Sequence, residues 1–426
     1  MMLRGVVTGA WWITRLLPSP TCGRPTSSVP SAAISIPCPS YYQTTMTVTI
    51  AQVSVEHHES GFAIAKSKPR LSWRFDETDV KDWIQEAYEI TVLRDGTETH
   101  YSETTSNSIL VPWPGQPLHS REAAVIKVRA IGKDGMSTPW AETKLETALL
   151  DANDWACSMI SGPAQDPAAP KRPFRLRTTF TAQIGQTARL YCTAFGIYEV
   201  SINGRRVGDQ LLTPGWTSYD FHLNYQTYDI GEYLREGENQ IVAHVAEGWY
   251  AGRLGKTNRN IWGDRPGFMG QLEVDGRVIC ATDASWSFLS SSVLESEIYN
   301  GEIVDSNPSS TIESDLGAAD VLPFPRAHLI SSEAPPVRRI MEIRPVEIIT
   351  TPTGKTILDF GQNLVGHVRI ESDLYEGSEV SFRHAEVLEN GEIGTRPLRT
   401  AMARAVIKLG GSTKGWEPKF TFFGFR

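Results

Sequence analysis

The run Leu190-Tyr191-Cys192-Thr193-Ala194-Phe195, followed by Tyr198-Glu199-Val200-Ser201-Ile202-Asn203-Gly204, is where the architecture first becomes legible. Tyr198 to Ile202 alternate apolar and polar side chains with period two, the pattern of a half-buried strand. Asn203-Gly204 then supplies two residues that accept positive φ, a strong two-residue hairpin signal. Leu190 to Phe195 reads as a second strand. Farther along, Asn239 to Ala246, Phe268 to Val274 and Arg277 to Ala281 continue the alternation. Between them Tyr225 to Tyr228 leads into Asp229, placed to cap a single helical turn before Glu236-Gly237. The block 151–307 therefore predicts a jelly roll, two antiparallel sheets around one core.

The same grammar extends in both directions. Upstream, Arg70 to Phe75, Tyr88 to Val92 and Val125 to Ala130 alternate, and Asp95-Gly96 offers a hairpin turn. Residues 46–148 so predict an immunoglobulin-like or fibronectin-III-like sandwich. Downstream, residues 308–339 hold few apolar periods and read as a connector. A third block, 340–426, contains Thr356 to Phe360 and then Leu364, Val368 and Ile370 on a face opposite His367 and Arg369. Val380 to Val387, Ala405 to Leu409 and a last strand opening at Lys419 complete it. Helical periodicity is almost absent, so the fold class is all-β and multidomain.

Residues 1–45 differ. Arg4 precedes a short apolar run, Arg15 interrupts it, and a Pro/Ser-rich tract follows. The run is too short to cross a bilayer and carries no clean cleavage site. An unstructured leader is expected there, with Met46 opening the folded protein.

Bulk properties narrow the partners. With 41 Lys and Arg against 49 Asp and Glu, the net charge of -8 gives no basic field for nucleic acid or an anionic membrane. Five widely spaced cysteines form no CxxC pair, and no Asn-x-Ser/Thr acceptor occurs because Asn307 is followed by Pro308. Both observations tilt the expected location to the cytoplasm, with secretion as the alternative. Twelve Trp and 13 Tyr serve either as core or as platforms on which the C–H face of a sugar stacks.

Three groups of residues carry a family likeness. The first is Tyr198 to Arg205, Leu212 to Asp220, Tyr225 to Ile230, Glu247-Gly248-Trp249-Tyr250-Ala251-Gly252-Arg253 and Ile298 to Glu302. The second is Leu358 to Gly366, Arg383 to Leu388 and Phe420 to Arg426; the third is Pro69-Arg70-Leu71-Ser72-Trp73. In that order and spacing they resemble an α-L-rhamnosidase. The resemblance implies a fibronectin-III/Ig-like sandwich, a galactose-binding-like jelly roll and a concanavalin-like β-sandwich. It also implies hydrolysis of terminal, non-reducing α-L-rhamnose with inversion by two carboxylic residues. In the family these lie in a following (α/α)₆ barrel, absent from these residues. The expectation is thus a fragment that takes rhamnose-containing glycosides or polysaccharides as partners and is inactive alone. The alternatives are a non-catalytic rhamnose-binding protein and a structural module with no carbohydrate role.

Candidate contacts follow. Trp249 and Tyr250 end a strand before a Gly-rich loop and suit a sugar platform, with core packing as the competing role. Asn260 and Asp264 lie in a polar loop, where they accept sugar hydroxyls, bind Ca²⁺, or simply make turns. Asn300, Glu302 and Asp305 pack oxygen ligands into one short turn and form the candidate metal site, against an Asx-type turn. No cofactor is required, and Ca²⁺ is the one ion considered. His384 and Glu386 share a strand face and are expected either to hydrogen-bond one another in support of the sheet or to contact the barrel that the resemblance implies.

Overall fold

A computed structural model describes residues 3–8, 48–58, 60–76, 80–255, 258–307, 315–324, 328–371, 378–410 and 414–426. The all-β reading holds: among the described residues the one α-helix is the single turn Gly248–Ala251.

The first domain pairs Ile50–Val55 with Leu71–Phe75 and packs them against a sheet ordered Thr97–Glu103, Gln85–Arg94, Ala123–Gly132, Ala141–Glu146. Asp95 and Gly96, at φ 45° and 76°, make the expected two-residue turn between Gln85–Arg94 and Thr97–Glu103. The alternation seen in sequence places Ile126, Val128 and Ala130 inward, and with Trp73 and Ile90 they form one buried core.

The second domain is the jelly roll. One sheet runs Asp320–Leu322, Met159–Ser161, Gly267–Val274, Ala188–Phe195, Leu223–Asp229, Leu329–Ser331, with Arg277–Ala281 also paired to Gly267–Val274. The other runs Arg205–Arg206, Ile197–Ile202, Gly237–Ala246, Phe174–Ala182, Ser287–Ser290, Asp315–Ala318. Their inner faces meet in a core that includes Leu176, Leu190, Val200, Ile241 and Phe268. The chain crosses between the sheets at Gly196, whose φ is 111° and where a Cβ would lie 2.1 Å from the Ala246 carbonyl oxygen. Only glycine makes that crossing at this angle. Asn203 and Gly204 form the expected tight turn, and Asn203 Nδ2 donates to Tyr233 O and Asn239 Oδ1. Asp229 is not the cap of the following 3₁₀ turn, which starts after Ile230, although its Oδ1 does accept the Gly231 N–H.

Two divisions differ from the expected ones. The hairpin Val293–Glu297/Gly301–Asp305, placed before a boundary at 307, pairs in parallel with Arg404–Lys408 and so lies in the third domain's sheet. The stretch 308–339 is not only a connector, because Asp315–Ala318, Asp320–Leu322 and Leu329–Ser331 extend both jelly-roll sheets. Short edge strands carry few apolar positions, so their sequences do not show period two.

The third domain has two four-stranded sheets: Val293–Glu297, Gly301–Asp305, Arg404–Lys408, Glu379–Arg383, and Arg339–Ile343, Leu3–Thr8, Leu364–Ile370, Phe423–Phe425. Leu3–Thr8 was expected to be unstructured, yet it pairs antiparallel with both neighbours, whose facing edges supply unpaired backbone groups. The remainder of the expected leader, with Met46, lies outside the described residues. The last strand begins at Phe423 rather than Lys419, because the Lys419 and Phe420 N–H groups are taken by the Glu302 carboxylate. His367, on the face opposite Val368 and Ile370, is buried as well, against Glu417. His384 Nδ1 donates to Ala403 O at 2.9 Å, while Glu386 accepts from Asn363, so the expected His384–Glu386 bond is not made.

Candidate functional site at the jelly-roll junction

Strand Gly237–Ala246 runs into Glu247 and then the helical turn Gly248–Ala251, the segment singled out in sequence. Successive residues of a helical turn point about 100° apart, so Trp249 and Tyr250 face different surroundings. Tyr250 is buried, stacked flat on Phe195 with centroids 4.5 Å apart, and Tyr219 meets it edge-on at 5.2 Å. It is therefore a support within the core and not the sugar contact expected of it. Trp249 remains partly exposed. Its ring lies parallel to that of Trp216, at 6.2 Å and 11°. Trp262 meets Trp216 edge-on at 6.2 Å and Tyr219 at 5.1 Å. A continuous series of rings thus leads from half-buried Phe195 through buried Tyr250 and Tyr219 to surface Trp216, which is 55% exposed. Neither Trp216 nor Trp262 is among the residues that the sequence singled out as candidates. The signal that would have found Trp216 is its place in Gly215-Trp216-Thr217-Ser218, an indole inside an otherwise turn-forming stretch.

Beneath the rings lies a buried ion-pair chain. Glu247 is fully buried and receives Arg259 on both oxygens, Oε2 at 2.9 Å and Oε1 at 3.0 Å, plus the Lys171 N–H at 2.7 Å. Arg259 also donates to Glu297 Oε2 at 2.8 Å, and Glu297 Oε1 accepts Arg253 Nε at 2.9 Å. Arg253 continues to Asn300 Oδ1 at 3.0 Å and Thr400 Oγ1 at 3.0 Å. The chain crosses from the jelly roll into the third domain's hairpin. Burial pushes the Glu247 carboxyl up to about 7, with the Arg259 guanidinium pulling the other way. An apolar weld runs alongside, in which Ile197 and Ala246 pack with Val293, Ile298, Val304 and Phe420.

The remaining candidates separate. Asp264 is exposed at the surface beside the rings. Asn260 has φ 54° and its Nδ2 donates to Pro167 O at 2.7 Å, so it staples the loop. The proposed metal ligands are not brought together. Asn300 belongs to the Arg253–Glu297 chain, Glu302 Oε2 accepts the Lys419 and Phe420 N–H groups, and Asp305 Oδ1 accepts the Asn307 N–H. Among the described residues no group of three or more His, Cys, Asp or Glu side chains is placed to hold a metal ion. A cavity of ≈ 1180 Å³ opens elsewhere, in the third domain, over Phe360, Val368, Phe382 and Phe425; His384 and Glu386 line it, and the candidate sugar and metal residues do not.

Comparison with known proteins finds three family domains in order along the chain. Residues 50–151 match the Rha78A-like, N-terminal immunoglobulin domain. Residues 184–341 match the alpha-L-rhamnosidase N-terminal domain, and residues 349–426 the bacterial alpha-L-rhamnosidase concanavalin-like domain. An alpha-L-rhamnosidase of Formosa agariphila is 31% identical over 396 residues, covering 84% of this chain and 42% of that protein. The crystal structure of native alpha-L-rhamnosidase from Aspergillus terreus superposes with a TM-score of 0.84 at 42% identity, over 89% of this chain and 46% of that one. The Streptomyces avermitilis alpha-L-rhamnosidase, solved in complex with L-rhamnose, shares the fold at 23% identity and TM-score 0.77, over 89% of this chain and 55% of that one. The chain spans about half the length of such relatives. The order of these domains and the shared fold identify the chain as carrying the immunoglobulin-like, N-terminal and concanavalin-like domains of the α-L-rhamnosidase family.

Proposed function

We propose that this chain is the substrate-holding β-portion of an α-L-rhamnosidase activity, which releases terminal non-reducing α-L-rhamnose from glycosides or polysaccharides with inversion. By itself the polypeptide 1–426 binds such glycans and does not cleave them. The observation that carries the second half of this reading is the fate of Glu247 and Glu297. An inverting pair flanks a sugar and a water, with carboxyls about 6.5–9.5 Å apart. These two carboxylates instead converge on one guanidinium, that of Arg259. Their charge is spent on joining two domains, and neither is available to protonate a leaving oxygen or activate water. Binding requires no calcium in this reading, because Asn300 and Glu302 already have protein partners.

The test is direct. Purified protein is incubated with an aryl α-L-rhamnoside, and no product above a buffer blank is expected. Calorimetry with L-rhamnose is expected to show binding that EDTA leaves unchanged. Turnover by the purified chain would overturn the non-cleaving assignment, and loss of binding in EDTA would overturn the metal-free one.

A further inference from the structure

The indoles at the junction are held in place before any ligand arrives. The loop carrying Trp216 is tied at its root by Thr213, whose O accepts the Tyr198 N–H at 2.9 Å and whose Oγ1 donates to Tyr198 O at 3.0 Å. Thr217 Oγ1 donates to His222 O at 2.9 Å, and Tyr219 OH to Gly215 O at 3.2 Å. Trp249 is fixed by the helical turn that the Glu247–Arg259 pair anchors, and Trp262 by its edge contacts to Trp216 and Tyr219. Rings restrained in this way lose little rotamer freedom on binding.

The surroundings select the ligand. Asp220 directly follows Tyr219 and Asp264 lies two residues beyond Trp262, the two rings that meet edge-on, and both carboxylates are exposed. Two carboxylates beside the indoles repel phosphate and sulfate, as does the net charge of -8. They are acceptors only, and so match a ligand rich in hydroxyl donors. A 6-deoxyhexose offers such hydroxyls on one side, and on the other an axial C–H face and a methyl group that suit the flat side of an indole.

We propose that Trp216, Trp249 and Trp262, with Asp220 and Asp264 at their margin, form a binding subsite for a 6-deoxyhexopyranose such as a terminal α-L-rhamnosyl unit. The subsite rests on the reading that this chain holds rhamnosides, and it names where. The sugar's C–H face and methyl lie on Trp216 and Trp249, and its hydroxyls donate to the two carboxylates. Trp249 and Asp264 thereby keep the role expected from sequence, while Tyr250 and Asn260 serve as the scaffold behind them.

The experiment uses methyl α-L-rhamnopyranoside as probe, with calorimetry and tryptophan fluorescence on the whole chain. Trp216→Ala removes a half-exposed ring and is expected to leave the protein folded, with at most a small drop in unfolding temperature, while weakening binding about tenfold, the scale of one lost stacking contact. Asp264→Asn should weaken it several-fold. In the unmutated protein, saturating rhamnoside should protect Trp216 from N-bromosuccinimide oxidation, read by peptide mass spectrometry; this arm needs no variant to fold. Rhamnoside binding that survives Trp216→Ala, with no protection of Trp216, would overturn the subsite and leave the rhamnoside-holding reading intact. Failure of the unmutated chain to bind any rhamnoside would overturn both. Self-association that Trp216→Ala abolishes, with no response to sugar, would assign these rings to a protein contact instead.

Discussion

Arg259 Nη2 donates to Glu297 Oε2 at 2.8 Å across the boundary between the jelly roll and the third domain, with both side chains almost out of solvent. The same guanidinium neutralises Glu247. A buried ion pair adds little net stability, but removing one partner strands the other charge. Arg259→Ala would strand Glu247, whereas Glu297 keeps its bond from Arg253. We expect it to cost about 3–5 kcal/mol, seen as a lower denaturant midpoint. Arg259→Lys should recover little, since one ammonium cannot reproduce a fork shared between two carboxylates. A midpoint for Arg259→Ala within error of the unmutated protein would show that the chain of ion pairs does not join the domains.

Glu302 makes the same junction sensitive to pH. Burial pushes its carboxyl from the ordinary 4.5 up to about 7, and the two N–H bonds from Phe420 and Lys419 only partly offset this. Lys419 and Glu199 are the charged groups that act on it. A carboxyl whose folded pKa lies above its unfolded one binds its proton more tightly in the folded state. Its ionisation therefore costs stability progressively as pH rises from about 4.5 through about 7, and the cost is absent below that window. Glu302→Gln keeps an acceptor for the two N–H groups and does not titrate. The difference in unfolding free energy between the two proteins should grow over this window in favour of the variant. A difference that stays flat with pH would refute the raised carboxyl.

Gly196 and Gly204 provide a paired test of the jelly-roll backbone. Both have positive φ, 111° and 78°, but a Cβ at Gly204 meets nothing within 4 Å. Gly204→Ala should cost about 1–2 kcal/mol, the ordinary penalty of a left-handed L-residue. Gly196→Ala adds a collision with the Ala246 carbonyl and should yield little soluble protein. Equal thermal stability of the two variants would mean the inter-sheet crossing has another pivot.

Cysteine reactivity reports on the core. Cys192 is fully buried beneath Tyr198, which it approaches at 3.2 Å, and burial pushes its thiol up to about 12. Burial pushes Cys280 up to about 12 as well. Neither forms a thiolate near neutral pH. Iodoacetamide at pH 8 should label both slowly in the folded protein and readily in urea, as mapped by peptide mass. Rapid labelling of Cys192 without urea would show that the core opens.

What sequence alone determined here is local. Asn203-Gly204 and Asp95-Gly96 needed positive φ, and alternation through Tyr198 to Ile202 needed one buried face, so strands and turns were readable residue by residue. Tertiary structure decided the rest. That Val293–Asp305 joins Arg404–Lys408 depends on pairing across about 100 residues, to which period-two patterning is blind. Trp249 and Tyr250 are adjacent in sequence and equally aromatic; only the turn of one helical residue between them sends one to the surface and the other into the core. The carboxylates followed the same rule. Spacing made Asn300, Glu302 and Asp305 look like one cation site, whereas the fold gives Asn300 to Arg253, Glu302 Oε2 to the Lys419 and Phe420 N–H groups and Asp305 to the Asn307 N–H. These donors arrive from distant parts of the chain or from the local turn, and spacing does not reveal them.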